Sequence, residues 1–161
     1  MTPMEIALEE AAAAALRGEV PVGAVVTDAS GTVLARAGNR VEEFCDPSAH
    51  AEMVALRSAA ARRGAKHLSD ATLWVTLEPC AMCAQAASLF RIGRVVFGAY
   101  DPKGGGVEHG ARVFAHPQCN HAPEVVGGVR ESDAAGLLRD FFAARRSKKF
   151  VMRVSKRPAG S

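Results

Sequence analysis

The stretch Ala71-Thr72-Leu73-Trp74-Val75-Thr76-Leu77-Glu78-Pro79-Cys80-Ala81-Met82-Cys83 decides the fold of this chain and the place of its chemistry. Its first half is apolar and β-rich, which predicts a buried strand over Ala71–Leu77. Pro79 ends that strand, because proline cannot continue a central sheet ladder. The residues that follow, Cys80–Arg91, predict a helix. The turn between them leaves two cysteines at a helix N-terminus.

The spacing of these cysteines favours a metal site. Cys80 and Cys83 lie three residues apart, so on a helix both sulfurs share one face and can reach one ion. The positive end of the helix dipole lowers a thiol pKa and favours the thiolate that binds metal. His50-Ala51-Glu52 forms a second cluster, at the start of an earlier predicted helix. We predict that His50, Cys80 and Cys83 bind one Zn²⁺ ion, with the fourth position open to water, as in catalytic zinc sites.

Glu52 is the predicted catalytic residue. Zinc lowers the pKa of a bound water towards ~7, and a carboxylate in a dry pocket can take that proton and pass it on. On a regular helix His50 and Glu52 would point roughly 200° apart. A shared site therefore requires a helix start that is shaped to bring them together.

Two other interpretations of these clusters remain open. Cys80 and Cys83 could form a redox pair, although no thioredoxin-like arrangement surrounds them. The site could also be a structural zinc site, which requires four protein ligands. The fourth ligand would then come from the chain's other cysteines and histidines: Cys45, Cys119, His116 or His121.

Working outward, the whole chain predicts alternating helices and strands in the order α-β-β-α-β-α-β-β-α. The remaining predicted elements are a helix over Pro3–Leu16 that begins with a Thr2/Glu5 capping box, strands over Val20–Asp28, Thr32–Gly38, Val95–Ala99 and Glu124–Val129, helices over Ala49–Arg63 and Glu131–Arg146, and loops over Val41–Ser48 and Asp101–Gly110. The first two of these strands predict an antiparallel hairpin. The alternation predicts a three-layer α/β/α fold, with a mixed sheet of about five strands and helices on both faces.

Composition bounds the class of protein. The 161 residues are 48% hydrophobic and 23% charged, which is typical of one soluble globular domain. Four cysteines are too few for a disulfide scaffold. We see no apolar run long enough for a membrane span and no secretory leader. We therefore expect a cytoplasmic protein with reduced thiols.

Charge is distributed unevenly along the chain. Residues 139–161 carry a net charge of +7, whereas the rest of the chain carries −4. We predict a domain over residues 1–147 followed by a basic tail over 148–161. The asymmetry favours a polyanion contact at the C-terminus. The alternative is a solvated, partly disordered tail that only aids solubility.

The two clusters together match H-x-E…P-C-x-x-C, the signature of zinc-dependent base deaminases. The chain resembles the zinc-dependent cytidine/adenosine deaminase superfamily and, within it, the bacterial tRNA-specific adenosine deaminases. This narrower resemblance rests on Glu19–Val25, Gly38-Asn39-Arg40, Asp46–Glu52, Thr76–Cys80, Arg91–Gly98, Asn120-His121 and Asp140-Phe141-Phe142. It covers residues from about 5 to 146.

The resemblance implies a cytidine-deaminase-like fold and a homodimer that converts the wobble adenosine of a tRNA anticodon to inosine. It implies zinc on His50, Cys80 and Cys83, and Glu52 as the proton shuttle. It also implies four substrate-binding positions: Asn39 hydrogen-bonds the adenine, the Ala51 N–H helps to hold it, Val22 packs on the ring and Asp101 lies near the sugar or backbone. Purely structural roles are also open, with Asn39 and Asp101 as turn residues and Val22 in the core.

The chain departs from the family pattern at Gly104–Gly110, where a Gly-Ala-x-Gly-Ser-like stretch is expected. This departure concerns the RNA contacts of that loop and leaves the zinc chemistry unchanged. Two rival functions remain open. The first is a guanine or cytosine deaminase that acts on a free base. The second is a non-catalytic, zinc-stabilised RNA-binding module.

Overall fold

The computed structural model describes residues 1–156. The helices are α1 (Pro3–Leu16), α2 (Val41–Phe44), α3 (Ala51–Arg63), α4 (Ala81–Leu89) and α5 (Glu131–Ser155). The strands are β1 (Gly23–Thr27), β2 (Val33–Gly38), β3 (Thr72–Leu77), β4 (Arg94–Ala99) and β5 (Glu124–Val126). One 3₁₀ turn, Val113–Ala115, interrupts the long connection from β4 to β5. The predicted alternation of helices and strands is confirmed.

The five strands form one mixed sheet in the order β2-β1-β3-β4-β5. β1 pairs antiparallel with β2 on one side and with β3 on the other, so the predicted hairpin is confirmed. β3, β4 and β5 are parallel to one another. The carboxyl ends of β3 and β4 therefore meet at one edge of the sheet, where open α/β sheets bind their ligands.

Helices cover both faces of the sheet. α1 and α5 pack on one face, and α3 and α4 pack on the other. Alternate residues of each strand enter the two cores, as the two-residue strand period requires. In β3, Leu73 and Val75 join the α3/α4 core while Trp74 joins the core under α1. The predicted three-layer α/β/α architecture is confirmed.

α1 begins as predicted. The Thr2 hydroxyl accepts from the Glu5 N–H, and the Glu5 carboxylate accepts from the Thr2 N–H, which completes the capping box. The helix then crosses so close to β1 that a Cβ at Gly23 would collide with the carbonyl oxygen of Ala7. A glycine is therefore required at this position for α1 to lie on the sheet.

Several predicted boundaries are wrong. Val41–Phe44 is a short helix, not loop, because the Glu19 carboxylate accepts the N–H groups of Glu42 and Glu43. α3 begins at Ala51, not Ala49, because Asp46 bonds Ser48 locally and leaves His50 as the N-cap residue. Strands β1, β2 and β5 are also shorter than the predicted ranges.

The last helix is longer than predicted. α5 runs to Ser155, past the predicted end at Arg146, since no proline or glycine interrupts residues 147–155. It crosses the predicted boundary between a domain over 1–147 and a tail over 148–161. Arg157 and the other residues from 157 to 161 lie outside the described residues, and the division remains a prediction. No helix within residues 1–156 is both long and apolar enough to cross a membrane.

Candidate active site and metal centre

Two helix N-termini converge at the carboxyl end of β3. His50 is the N-cap residue of α3 and Cys80 is the N-cap residue of α4, and both have extended backbones with φ −68°. Neither side chain caps its own helix. On a regular helix the side chains of His50 and Glu52 would point roughly 200° apart. His50 precedes the helix and has an extended backbone, so this helical angle does not apply to the pair. Both side chains can therefore face one site.

The ligand atoms of His50, Cys80 and Cys83 lie within 4.8 Å of one another. Nδ1 of His50 is 3.6 Å from Sγ of Cys80 and 3.5 Å from Sγ of Cys83. Tetrahedral zinc, with Zn–S of about 2.3 Å and Zn–N of about 2.1 Å, separates its sulfur and nitrogen ligands by about 3.6 Å. The spacing of these side chains therefore fits a zinc ion.

The protonation of the three side chains is coupled. A hydrogen bond from Cys83, together with His50, lowers the pKa of Cys80 to about 4. The hydrogen bond with Cys80, together with burial, raises the pKa of Cys83, and hydrogen bonding to Cys80 raises the pKa of His50. The group thus holds protons that a metal would displace, since zinc binds thiolate and neutral imidazole.

Glu52 is buried beside this group, with 4% of its surface exposed. Burial raises the pKa of its carboxyl above the usual range. Glu52 also lines the cavity described below, so its side chain meets the same space as His50 and Cys80. We call His50, Glu52, Cys80 and Cys83 the pocket floor.

The candidate fourth protein ligands are engaged elsewhere. His121 Nε2 bonds the Ile92 carbonyl at 2.7 Å, and Cys119 Sγ donates to the His121 carbonyl at 3.2 Å. His116 Nδ1 accepts from the Gln118 N–H, and Cys45 Sγ contacts the Glu42 carbonyl at 3.8 Å. Within residues 1–156 the metal-binding group has three members. A closed four-ligand structural site is therefore absent from the described part of the chain.

A cavity of 330 Å³ opens above the pocket floor. Its lining includes most of the predicted site residues: Val22, Asn39, His50, Glu52, Cys80 and Asp101. Ligand pockets range from about 300 to 1,000 Å³, so this cavity suits one base with part of its sugar. Cys83 lies behind the lining, fully buried. The structure thus brings the residues of both sequence clusters to one place.

Asn39 and Ala51 are joined directly. The Ala51 N–H donates to Oδ1 of Asn39 at 2.7 Å, and Arg17 bonds the Asn39 carbonyl at 3.1 Å. This bond fixes the oxygen of the Asn39 amide on α3, while Asn39 also lines the cavity and its NH₂ group has no hydrogen-bond acceptor among residues 1–156. Because the Ala51 N–H is already engaged, a base that uses it must share or displace the Asn39 oxygen.

Val22 and Asp101 both line the cavity. Val22 is 6% exposed and accepts the Asn39 N–H through its carbonyl, so it serves both core and pocket. Oδ1 of Asp101 accepts from the N–H groups of Lys103 and Gly104. Asp101 therefore fills the turn role that its position before Pro102 suggests, while it also borders the cavity.

Sequence reasoning assigned no role to two further residues that line the cavity, Glu19 and Glu78, whereas it expected Arg145 to neutralise phosphates. Glu19 and Glu78 are each 2% exposed and direct their carboxylates at backbone N–H groups. Arg145 reaches the cavity from α5, with its guanidinium carbon 4.8 Å from the Phe141 ring centroid. The available signal for Glu78 was a glutamate at the end of an apolar strand, directly before Pro79, and for Glu19 a glutamate two residues before Pro21. The segments that they hold, Val41–Phe44 and Asp101–His109, we call the pocket walls.

The sequence model of the cytidine and deoxycytidylate deaminase zinc-binding region matches residues 2–99. The chain belongs to this deaminase family. The match covers both floor clusters and the strands that place them. Zinc is the cofactor of this family, and the His/Cys/Cys group of this chain has the ligand types and the spacing that zinc requires.

Within the deaminases, the chain is similar to tRNA-specific adenosine deaminases. It is 52% identical over 143 residues to the enzyme of that name from Agrobacterium fabrum, covering 89% of this chain and 93% of that one. A solved structure from studies of A-to-I editing by tRNA:A34 deaminases at the wobble position matches with TM-score 0.83 and 51% identity, over 84% of this chain and 98% of that chain.

A guanine deaminase from Nitrosomonas europaea is less similar. Its structure matches with TM-score 0.72 and 25% identity, over 88% of this chain and 83% of that chain. The fold is thus shared across deaminases of different bases. The sequence identity to the structure from the tRNA:A34 deaminase studies, 51%, is about twice the 25% identity to the guanine deaminase.

Proposed function

We propose that this protein is a zinc-dependent hydrolase that deaminates adenosine to inosine at the wobble position of a tRNA anticodon. The observation that carries the proposal is the base-sized cavity, in which a His/Cys/Cys group, a buried glutamate and a free amide donor meet. The similarity to tRNA-specific adenosine deaminases over most of both chains supports the choice of substrate.

The floor residues divide the chemistry between them. His50, Cys80 and Cys83 would hold one zinc ion, which supplies a Lewis acid that activates water when bound. Glu52 would take one proton from the water and deliver it to N1 of the adenine, and would later carry the remaining proton of that oxygen to the departing amine. The water oxygen bonds to C6 as the C6–N bond breaks, so that adenosine and water become inosine and ammonia.

The substrate-binding residues would orient the base. The NH₂ group of Asn39, held by the Ala51 N–H on its oxygen, donates to a ring nitrogen of the purine. Val22 supplies an apolar surface for the ring, and Asp101 borders the part of the cavity where the sugar would lie. The base must leave the anticodon stack to reach this depth, as bases do in other deaminases.

The anticodon stem-loop is the proposed macromolecular partner. Arg145 lies at the cavity with its guanidinium over Phe141, and the same helix carries further cations: Arg139, Arg146, Lys148, Lys149 and Arg153, with Lys156 as its C-cap residue. Such a row can neutralise phosphates flanking the extruded nucleotide. A reaction on tRNA also supports the cytoplasm as the proposed location.

We propose a homodimer, with α4 as the surface that joins the copies. The small residues Ala84, Ala86, Ala87 and Ser88 are buried within the subunit. Met82, Gln85 and Leu89 lie on the opposite, exposed face, and Leu89 is 68% exposed. Sedimentation analysis of Leu89→Arg against the native chain tests this surface. A native chain that sediments as a monomer would contradict it.

The experiment that tests the function compares substrates. Zinc-loaded protein is incubated with an adenosine-34 anticodon stem-loop, the same loop with cytidine-34, and free adenine, guanine and cytosine. We expect inosine and ammonia from the first RNA alone. Ammonia from free guanine or cytosine, without reaction of the RNA, would favour the free-base deaminase. If zinc-loaded protein reacts with none of these substrates, the result would favour the non-catalytic RNA-binding module.

A further inference from the structure

Glu78 precedes the Pro79-Cys80 turn and is a second buried carboxylate beside the cavity. Its side chain is fully buried, yet it is surrounded by hydrogen-bond donors. Oε2 accepts the N–H groups of Val107 at 3.2 Å, Glu108 at 3.0 Å and His109 at 3.1 Å. Oε1 accepts the Asp101 N–H at 3.1 Å and lies 2.8 Å from Nδ1 of His109. Both oxygens are therefore occupied by one wall of the pocket.

These contacts hold both ends of the Asp101–His109 wall. Asp101 and Gly104 from this wall line the cavity. A backbone hydrogen bond from Gly106 to the Pro79 carbonyl, at 2.8 Å, ties the middle of the wall to the turn that carries Cys80. The position of the wall relative to the pocket floor thus depends on contacts around Glu78.

The glycine-rich sequence of the wall follows from how closely it wraps this carboxylate. A Cβ at Gly105 would collide with Oε2 of Glu78, and one at Gly106 would lie 2.5 Å from the Ala81 nitrogen. A Cβ at Gly104 would meet only the Asp101 carboxylate, at 3.0 Å. The stretch that departs from the expected family pattern is thus the stretch that fits around Glu78.

We propose that Glu78 is a positioning residue, whose carboxylate fixes the Asp101–His109 wall and thereby sets substrate binding. It is not a catalytic residue, because each oxygen is already used by donors of the wall. His109 is its side-chain partner. The effect on substrate binding rests on the proposed function, whereas the anchoring of the wall can be measured without any substrate.

Glu78→Gln tests the anchor, because four partners of the carboxylate are backbone N–H donors and the NH₂ group of Gln cannot accept a hydrogen bond from them. Gln keeps one acceptor oxygen, so amide hydrogen exchange of zinc-loaded protein should show either the Asp101 N–H or the N–H groups of residues 107–109, whichever face the new NH₂ group, exchanging at least about tenfold faster. Glu108→Gln is the matched control, since it makes the same change on an exposed residue of the same wall. Its exchange should match that of the native protein.

His109 offers a milder pair of variants that keeps the test decisive if Glu78→Gln does not fold. His109→Ala removes one donor to Glu78, whereas Asn at this position places an NH₂ group near the site of Nδ1. We expect faster exchange over residues 105–109 in His109→Ala and restoration towards native rates in His109→Asn. Equal exchange in both variants and the native protein would overturn the anchor.

Steady-state deamination then separates positioning from catalysis. For Glu78→Gln we expect KM for the anticodon RNA to rise about tenfold, with kcat within about threefold of native and zinc content unchanged. Native KM together with faster exchange would overturn the positioning role. A fall in kcat alone would make Glu78 part of the chemistry. If the native protein does not deaminate RNA, the proposed function fails and hydrogen exchange still decides the anchor.

Discussion

The pocket floor and the pocket walls are built in opposite ways. In the floor, secondary structure fixes the backbone at two helix N-termini. The side chains of His50, Glu52, Cys80 and Cys83 at these helix starts supply the reactive groups. In the walls, the side chains of Glu19 and Glu78 fix the backbone of the short helix α2 and of the loop Asp101–His109, and these two segments line the cavity. The difference teaches that reactive groups and substrate-shaping groups depend on different kinds of interaction. The floor depends on helix geometry, and the walls depend on single buried carboxylates.

Metal removal is the most severe test of the floor. Chelation should reduce deamination to the background rate, and added zinc should restore it. Loss of a ligand that binds only the folded state should also lower Tm by about 10 °C. Activity assays, metal analysis and thermal unfolding of the same samples check this. Full activity at less than one-tenth zinc occupancy would show that the floor is not a metal centre.

Replacement of Glu52 tests the floor without removing the metal ligands. Glu52→Ala should abolish turnover, with a fall of at least about 10³-fold, because no other floor carboxylate can move the proton. Zinc content should stay at one per chain. Glu131→Gln, which makes a carboxylate-to-amide change on an exposed residue outside the cavity lining, is the control. Retained turnover in Glu52→Ala would exclude the proposed mechanism.

Asn39 lies between floor and wall, and two variants separate its roles. Asn39→Asp keeps an oxygen for the Ala51 N–H but loses the NH₂ group, so kcat/KM should fall about 10²-fold with Tm nearly unchanged. Asn39→Ala loses both contacts and should lower Tm as well. Kinetics with thermal unfolding distinguishes these outcomes. Equal kcat/KM in Asn39→Asp and the native protein would remove Asn39 from base recognition.

Glu19 holds the Val41–Phe44 wall, so replacing it tests whether this wall, like the Asp101–His109 wall, affects substrate binding and not the chemical step. Glu19→Gln leaves one oxygen to accept from α2 and turns an NH₂ group towards its second N–H. We expect KM to rise about threefold to tenfold with kcat nearly unchanged. Steady-state kinetics with Glu108→Gln as the control measures this. A fall in kcat with native KM would place Glu19 with the floor.

The smallest expected effect concerns Arg145. Arg145→Ala should weaken RNA binding a few-fold and reduce the slope of log K against log salt by about 1, the value for one phosphate contact. Arg94→Ala is the matched control, because Arg94 pairs with Glu124 at the opposite edge of the sheet. Binding isotherms across salt concentrations test the contact. Identical slopes in the two variants would exclude Arg145 from phosphate binding.

Much of the floor could be predicted from sequence because local patterns encode it. The strand, proline and helix of residues 71–91 place Cys80 and Cys83 at a helix N-terminus. The walls could not be predicted in the same way. Glu19 lies 23 residues from Glu42, and Glu78 lies 29 residues from Val107, so no periodicity connects the partners. The prediction of a loop over Val41–Ser48 was wrong for the same reason.

The sequence by itself determined the order of the five strands and of the four longer helices, and the types of metal-binding and acidic side chains, because hydrophobic periodicity and residue chemistry are local properties. Only the tertiary structure decided which side chains meet. It placed His50 before α3 rather than within it, which lets His50 and Glu52 share a site. It also directed Glu19 and Glu78 at the walls, because a buried carboxylate must find donors wherever the packed chain supplies them.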